Sequence, residues 1–387
     1  MLEFNYHQSP KYLHIGCEKP RAYFVPYQSE AAANTTNRAN SDYFTSLCGE
    51  WSFRYYDALY KVPNFVAPDW NFAAGDRLPV PMSWQYALGR GYDTPHYINV
   101  NYPIPVDPPY VPVDNPCGLY ERTFEVTADT LASKQLYMVF EGVDSCFYLY
   151  INGKFAAYSQ VSHMTTEVLL NDFLVAGENR VQILVLKWCD GTDLEDQDKI
   201  RSSGLIREVY LLARETVHIE DIYTRSALND DFSRATVTAE LTVNGAAEVS
   251  YRLVSPTGEE VAAGKQSGNE TIAFSIEVQN PILWSDEAPN LYALYLQCGD
   301  EVIRQEIGVR RFEIKGKVLY VNGKKVKGKG VNRHDSHPQL GSATPVEHML
   351  RDLYILKAHN VNMIRTSHYP RGIKAGFRFS RLLRWKH

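Results

Sequence analysis

Two short segments in the last sixth of the chain gather side chains suited to gripping a polyol. GVNRHDSHPQLG, residues 330–341, puts Asn332, Arg333, His334, Asp335 and His337 on one loop, and IRTSHYP, residues 364–370, adds Arg365 and His368. A neutral imidazole carries one donor and one acceptor, and amide and guanidinium groups add directed donors, so such a loop can bind sugar hydroxyls; it can equally be a solvated turn. The second segment beside the first favours binding. CDGTDLEDQDKIRSSG, residues 189–204, concentrates Asp190, Asp193, Glu195, Asp196 and Asp198. Clustered carboxylates can hold a hard cation or a polyol, and they can also be a plain exposed loop; the glycine and ligand spacing of an EF-hand is missing. HYINVNYPIPVDPPYVPVDNPCGLY, residues 96–120, interleaves Tyr97, Tyr102 and Tyr110 with prolines and reads by itself as an extended surface strip.

These side chains need elements to aim them. VLYVNGKKVKGKGVNRH predicts an Asn-Gly hairpin and then a short strand ending near Asn332. In SATPVEHMLRDLYILKAHN, Thr344, Pro345 and Glu347 stand in the positions of a capping box with proline at the first helical residue. Met349, Leu353 and Leu356 recur at helical spacing, Asn360 can close the helix, and VNMIRTS reads as the next strand. Strand, helix, strand opens a parallel α/β unit, so His334 and His368 fall at the carboxyl ends of adjacent parallel strands, the edge where such sheets bind ligands.

The preceding chain has a different grammar. From about residue 45 to 212, short alternating runs such as QLYMVFEGV and CFYLYINGKFAAYS, with Asn152-Gly153 as a hairpin signal, predict an antiparallel sandwich. From about 216 to 312, ATVTAELTV, VSYRLVSPTGEEVAAG, FSIEV and NLYALYLQ fit a seven-stranded immunoglobulin-like sandwich that acts as spacer or scaffold.

Composition bounds the functional classes. With 387 residues, 44% hydrophobic, 22% charged and a net charge of -5, the chain reads as an ordinary soluble multidomain protein with no nucleic-acid partner. No secretory signal and no run of about 18 apolar residues is present, which predicts a cytoplasmic protein without a membrane partner. The six cysteines are scattered and read as reduced thiols, several of them core fillers.

Taken together, MSWQ, YINVNYPIPVDPPYVP, WCDGTDLEDQD, GLIREVYLLAR, LWSDEAPNLY, GVNRHDSHP and MIRTSHYP resemble the bacterial β-galactosidases of glycoside hydrolase family 2, over almost the whole chain up to Pro370. The resemblance implies a mainly β chain: a jelly-roll sugar-binding domain with an N-terminal arm over 1–214, an immunoglobulin-like sandwich over 215–312, and the first strands and helix of a (β/α)8 barrel over 313–370. It further implies that Asn99, Asp190, His334 and His368 contact a β-galactoside such as lactose. Asp190 would also share in a monovalent-cation site. The full-length family uses magnesium and sodium and forms homo-oligomers; here the magnesium site is expected to be absent and the sodium site incomplete.

Retaining glycosidases need two carboxyl groups about 5 to 5.5 Å apart. In the family these lie on later barrel strands, so no catalytic acid/base or nucleophile is assigned in this chain, which is expected to be inactive alone. A barrel needs at least about 200 residues. Residues 371–387, with Arg371, Lys374, Arg378, Arg381, Arg384 and Lys386, depart from the family pattern and read as an aberrant basic tail, the product of a lost coding frame or, failing that, an adhesive basic peptide. Two other functions compete. One is a carbohydrate-binding module using Asn99, Asp190, Trp84 and the tyrosine strip; the other is a fragment complementing a chain that carries the rest of a barrel.

Overall fold

A computed structural model of the chain describes residues 5–72, 75–195 and 197–370; the basic tail at 371–387 and Asp196 lie outside the described residues. Among these, two sheets face one another in the first domain. One has seven strands, in the order His14–Ile15, Lys154–Ser159, Cys146–Ile151, Gly177–Leu186, Cys117–Val126, Gly49–Tyr56 and Asp76–Val80. The other has four: Thr166–Leu169, Lys134–Phe140, Val209–Glu215 and Phe44–Ser46. Trp51, Phe53, Trp84, Met138, Phe147 and Ile183 fill the space between them.

Gly177–Leu186 is buried on both faces, where an antiparallel strand would usually alternate. Its outer face is covered by a second cluster in which Phe65, Phe72, Tyr6 and Ile15 pack on Leu184, Leu186 and Tyr148. This explains the unbroken apolar run in RVQILVLKW. Asn152 and Gly153 both have positive φ (52° and 79°), as a two-residue hairpin turn requires. Trp84, expected on a lectin-like surface, is instead fully buried against Phe53 and Tyr55. The three-residue helix Trp84–Tyr86 turns its indole into the core.

The second domain has three strands (Ile219–Leu228, Arg234–Val243, Thr271–Gln279) against four (Glu260–Gly268, Ala247–Val254, Tyr292–Cys298, Glu301–Ile307). Arg234–Val243 alternates exposed and buried residues, so one polar and one core face follow directly from the pattern. The arm leading into the first domain straps both sandwiches: His14 pairs with Ser159, and Tyr27 exchanges backbone hydrogen bonds of 2.8 Å with Val302.

After a three-stranded meander, Gly330–Arg333 pairs in parallel with Met363–Thr366, connected by the helix Val346–Ala358. The helix closes on Asn360 at φ 58°, with Val361 N–H bonded to Leu356 O and Asn360 N–H to Lys357 O, both at 3.0 Å. The expected capping box does not form. Pro345 occupies the cap, and Thr344 Oγ1 is buried without a hydrogen-bond partner among the described residues. The preceding loop is pinned elsewhere, since Ser342 bonds to Ser83 and Ser202 of the first domain, which overrides the local capping rule. At Gly341 (φ 69°) a Cβ would sit 2.7 Å from the Tyr86 ring, so only glycine fits that junction.

Candidate functional site

The parallel ladder ends at the pair Arg333 and Thr366, and the next residues on the two strands deliver the histidines. The His334 and His368 rings meet edge to face with centroids 5.2 Å apart. Both are half-buried. Arg365 Nη1 donates to His368 Nδ1 at 2.6 Å, and because guanidinium only donates, the ring proton belongs on Nε2. Asn332 and Arg365 are exposed beside them, while Arg333 turns inward to bind Asp335 at 2.7 Å and Asp352 at 2.6 Å. His337 faces His348 rather than the other two histidines, with ring centroids 5.1 Å apart.

The other two residues singled out from the sequence sit on the first domain. Asn99 is exposed and donates to Tyr97 Oη at 3.2 Å; Tyr97 Oη donates to Asp198 at 2.5 Å. The pairing of His96–Tyr97 with Ile200–Arg201, together with Tyr102 Oη donating to the Thr192 and Asp193 carbonyls, lays the tyrosine strip along the acidic loop. That loop is not uniformly exposed. Glu195 accepts from Ser162 N–H at 2.8 Å and from its hydroxyl at 2.6 Å. Asp190 is 7% exposed, and burial raises its carboxyl above the usual carboxylate range.

Asp190 Oδ1 is buried without a hydrogen-bond partner among the described residues. An orphaned carboxylate oxygen is a donor that a monovalent cation would accept. One such oxygen fits part of a sodium site. No group of three or more His, Cys, Asp or Glu side chains gathers among the described residues.

Between the strip and the histidines lies a buried charged assembly that sequence reasoning missed. Asp144 pairs with Lys199 and Arg201, each at 3.3 Å; Lys199 Nζ donates to His163 Nε2 at 2.6 Å. His163 stacks on Tyr369, with centroids 4.0 Å apart and planes inclined by 19°. Arg207 donates to the His163 carbonyl at 2.8 Å, to the Pro370 carbonyl at 2.6 Å, and reaches Asp335 at 3.5 Å. Asn99 is linked through Tyr97 to Asp198, the neighbour of Lys199, and Lys199 Nζ stands over the ring of Tyr369, the neighbour of His368. A cavity of about 790 Å³ lies elsewhere, between the N-terminal arm and the start of the helix. Its lining includes Tyr23, Arg38, Glu141, Thr344 and Tyr354 but neither histidine of the pair. The chemistry sits at the strand ends, so we place the candidate site there.

The buried histidines set a pH limit on the fold. Burial, then Lys199, Arg207 and Arg201, hold the His163 imidazole well below its usual range; burial pushes His7 down to about 4 and, with Arg214, His218 down to about 3. The unfolded chain takes up these protons near pH 6.5 while the folded chain refuses them, so the stability is fully present above that pH and is lost as pH falls below it. Each ring contributes at most about 1.4 kcal/mol for each unit of pH. Thermal melting is expected to be flat near pH 7 to 8 and to fall steadily from pH 6.5 to 5; an unchanged melting temperature over that lower range would contradict the assignment.

Three models of one family match the chain in tandem: the sugar binding domain of glycosyl hydrolases family 2 at residues 44–215, glycosyl hydrolases family 2 at 217–310, and the family's TIM barrel domain at 312–375. A β-galactosidase of Actinobacillus pleuropneumoniae is 43% identical over 373 residues, covering 96% of this chain and 36% of the relative. A β-galactosidase of Staphylococcus xylosus is 41% identical over 374 residues, with the same coverages. The chain thus spans about a third of the length of the curated relatives it matches. Among solved structures, the β-glucuronidase of Bifidobacterium dentium complexed with coumarin-3-O-glucuronide superposes with a TM-score of 0.72 at 18% identity, covering 88% of this chain and 60% of that one. The Ruminococcus gnavus β-glucuronidase does so with a TM-score of 0.72 at 23% identity, covering 88% and 58%. At such identities the structures speak to the fold alone. No helix among the described residues is long and apolar enough to cross a membrane.

Proposed function

Because the chain belongs to family 2 of the glycosyl hydrolases, we propose that it supplies the sugar-binding side of a β-galactosidase, which removes terminal non-reducing β-galactose with retention of configuration. The observation that carries this reading is the meeting of His334 and His368 at the carboxyl ends of the parallel pair. In this reading both rings bind galactosyl hydroxyls, Asn99 approaches the same sugar from the tyrosine strip, and Asp190 contacts it while lending one oxygen to a monovalent cation. Magnesium enters no step on this chain. Lactose is the natural test substrate, and the six free thiols accord with a cytoplasmic setting. Assembly of the whole enzyme as a homo-oligomer belongs to the same reading.

A pocket needs more wall than two strands provide, so the polypeptide alone is proposed to be inactive and to bind galactose weakly. The buried Trp84 speaks against the lectin-like alternative, which needed that indole at the surface. Mixing the chain with a polypeptide that carries the remaining strands of a family 2 barrel is expected to generate turnover of a chromogenic β-galactoside, reduced by about 10- to 1000-fold when His334→Ala or His368→Ala is used, since each removes transition-state hydrogen bonds. A mixture that forms but turns over a β-glucuronide in preference would sink the galactosidase reading.

A further inference from the structure

We infer that Tyr369 is a positioning residue, holding His334 and His368 in one relation and seating the pair on the sugar-binding domain; the inference rests on the galactoside-binding reading of the two histidines. Tyr369 follows His368 directly, and its hydroxyl accepts the N–H of Asp335 at 3.0 Å while lying 3.3 Å from the Asp335 carbonyl, to which it donates. Asp335 in turn follows His334. Beyond the last rung of the parallel ladder, the two strand ends are therefore joined by this hydroxyl and by Ser367 N–H to Arg333 O at 3.0 Å. Without the hydroxyl, the Ser367–Arg333 bond and the reach of Arg207 to Asp335 and the Pro370 carbonyl would be left to set the spacing of both imidazoles.

The ring of Tyr369 performs the second task. It lies flat against His163, and Lys199 Nζ stands 4.9 Å from its centroid. Both partners belong to the first domain and are themselves held: Lys199 by Asp144, and the His163 and Pro370 carbonyls by Arg207. At 6% exposure Tyr369 is poorly placed to touch a ligand, so it acts through its neighbours. A 206-residue separation in sequence is thus closed by one aromatic stack.

The test uses the full chain with carbon-13 at the histidine Cε1 positions. The unaltered protein is expected to give a cross-peak between the His334 and His368 rings and a protected Asp335 amide. Tyr369→Phe keeps the stack and removes both hydroxyl bonds. It is expected to weaken or abolish that cross-peak and to speed exchange of the Asp335 amide at least about tenfold, with the His163 resonance unmoved. Tyr369→Ala is expected to shift His163 as well. An unchanged cross-peak and exchange rate in Tyr369→Phe overturns the inference. If the variant does not fold, the unaltered chain decides, because an Asp335 amide exchanging as fast as an exposed one overturns it and a protected amide supports it. Galactose titration of the same resonances separates the two claims. Histidines that ignore galactose count against the galactoside reading and leave the role of Tyr369 standing.

Discussion

A polypeptide of these 387 residues, purified from a host without its own galactosidase, is expected to release product from a chromogenic β-galactoside no faster than buffer. Retention of configuration needs one carboxyl group as nucleophile and another as acid/base, facing each other across the bond to be broken. The carboxylate adjoining His334 is Asp335, and it is already committed: buried, bound by Arg333 at 2.7 Å and approached by Arg207 at 3.5 Å. A single such group could not fill both roles in any case. Enzymes of this kind accelerate their reactions by roughly a million-fold or more, so even a small residual activity would stand far above the blank. Turnover that co-purifies with the chain and disappears in His368→Ala would refute the expectation.

Glu301→Ala is expected to cost about 3 to 5 kcal/mol of stability, the range for removing one partner of a buried ion pair. Arg214 is the next-to-last residue of the first domain's strand Val209–Glu215 and Glu301 begins a strand of the second; their side chains are 2% and 0% exposed. Arg214 Nε and Nη2 meet both carboxylate oxygens at 2.8 to 3.1 Å, and Glu301 also accepts the Glu215 N–H at 2.8 Å. Cutting the glutamate back strands a guanidinium at the junction of two domains. Replacing both residues at once with apolar ones, Arg214→Met with Glu301→Leu, is expected to recover much of the loss, since no charge is then left buried. Urea unfolding of the single and double variants measures both numbers; a loss below about 1 kcal/mol for Glu301→Ala would show that water reaches the junction.

Much of this could be read along the chain because its cause is local. Asn152-Gly153 and Asn322-Gly323 both turn hairpins with the positive φ values that the dipeptide favours, and Asn360 ends the helix in the left-handed region. His334 and His368 came together because they stand one and two residues past the last paired residues of their strands, Arg333 and Thr366, in a parallel pair whose facing a one-residue slip would reverse. What escaped depends on distant contacts. Thr344 was drawn away from its capping position by serine contacts to residues 83 and 202, and Trp84 went inward because Phe53 and Tyr55 lie opposite it. His163, Lys199 and Arg207 look like ordinary loop and strand residues until Tyr369 arrives from the far end of the chain. No spacing rule connects them.

The N-terminal strap has a mechanical meaning. Because it adds a rung beside Ser159 in one sandwich and another beside Val302 in the other, the start of the chain is fastened to two sheet edges, and a pull on it meets the Ser159 rung before the Val302 one. Trimming that end back past Tyr27 would therefore loosen two folded bodies at once, and would also take Phe24 out of the core of the second.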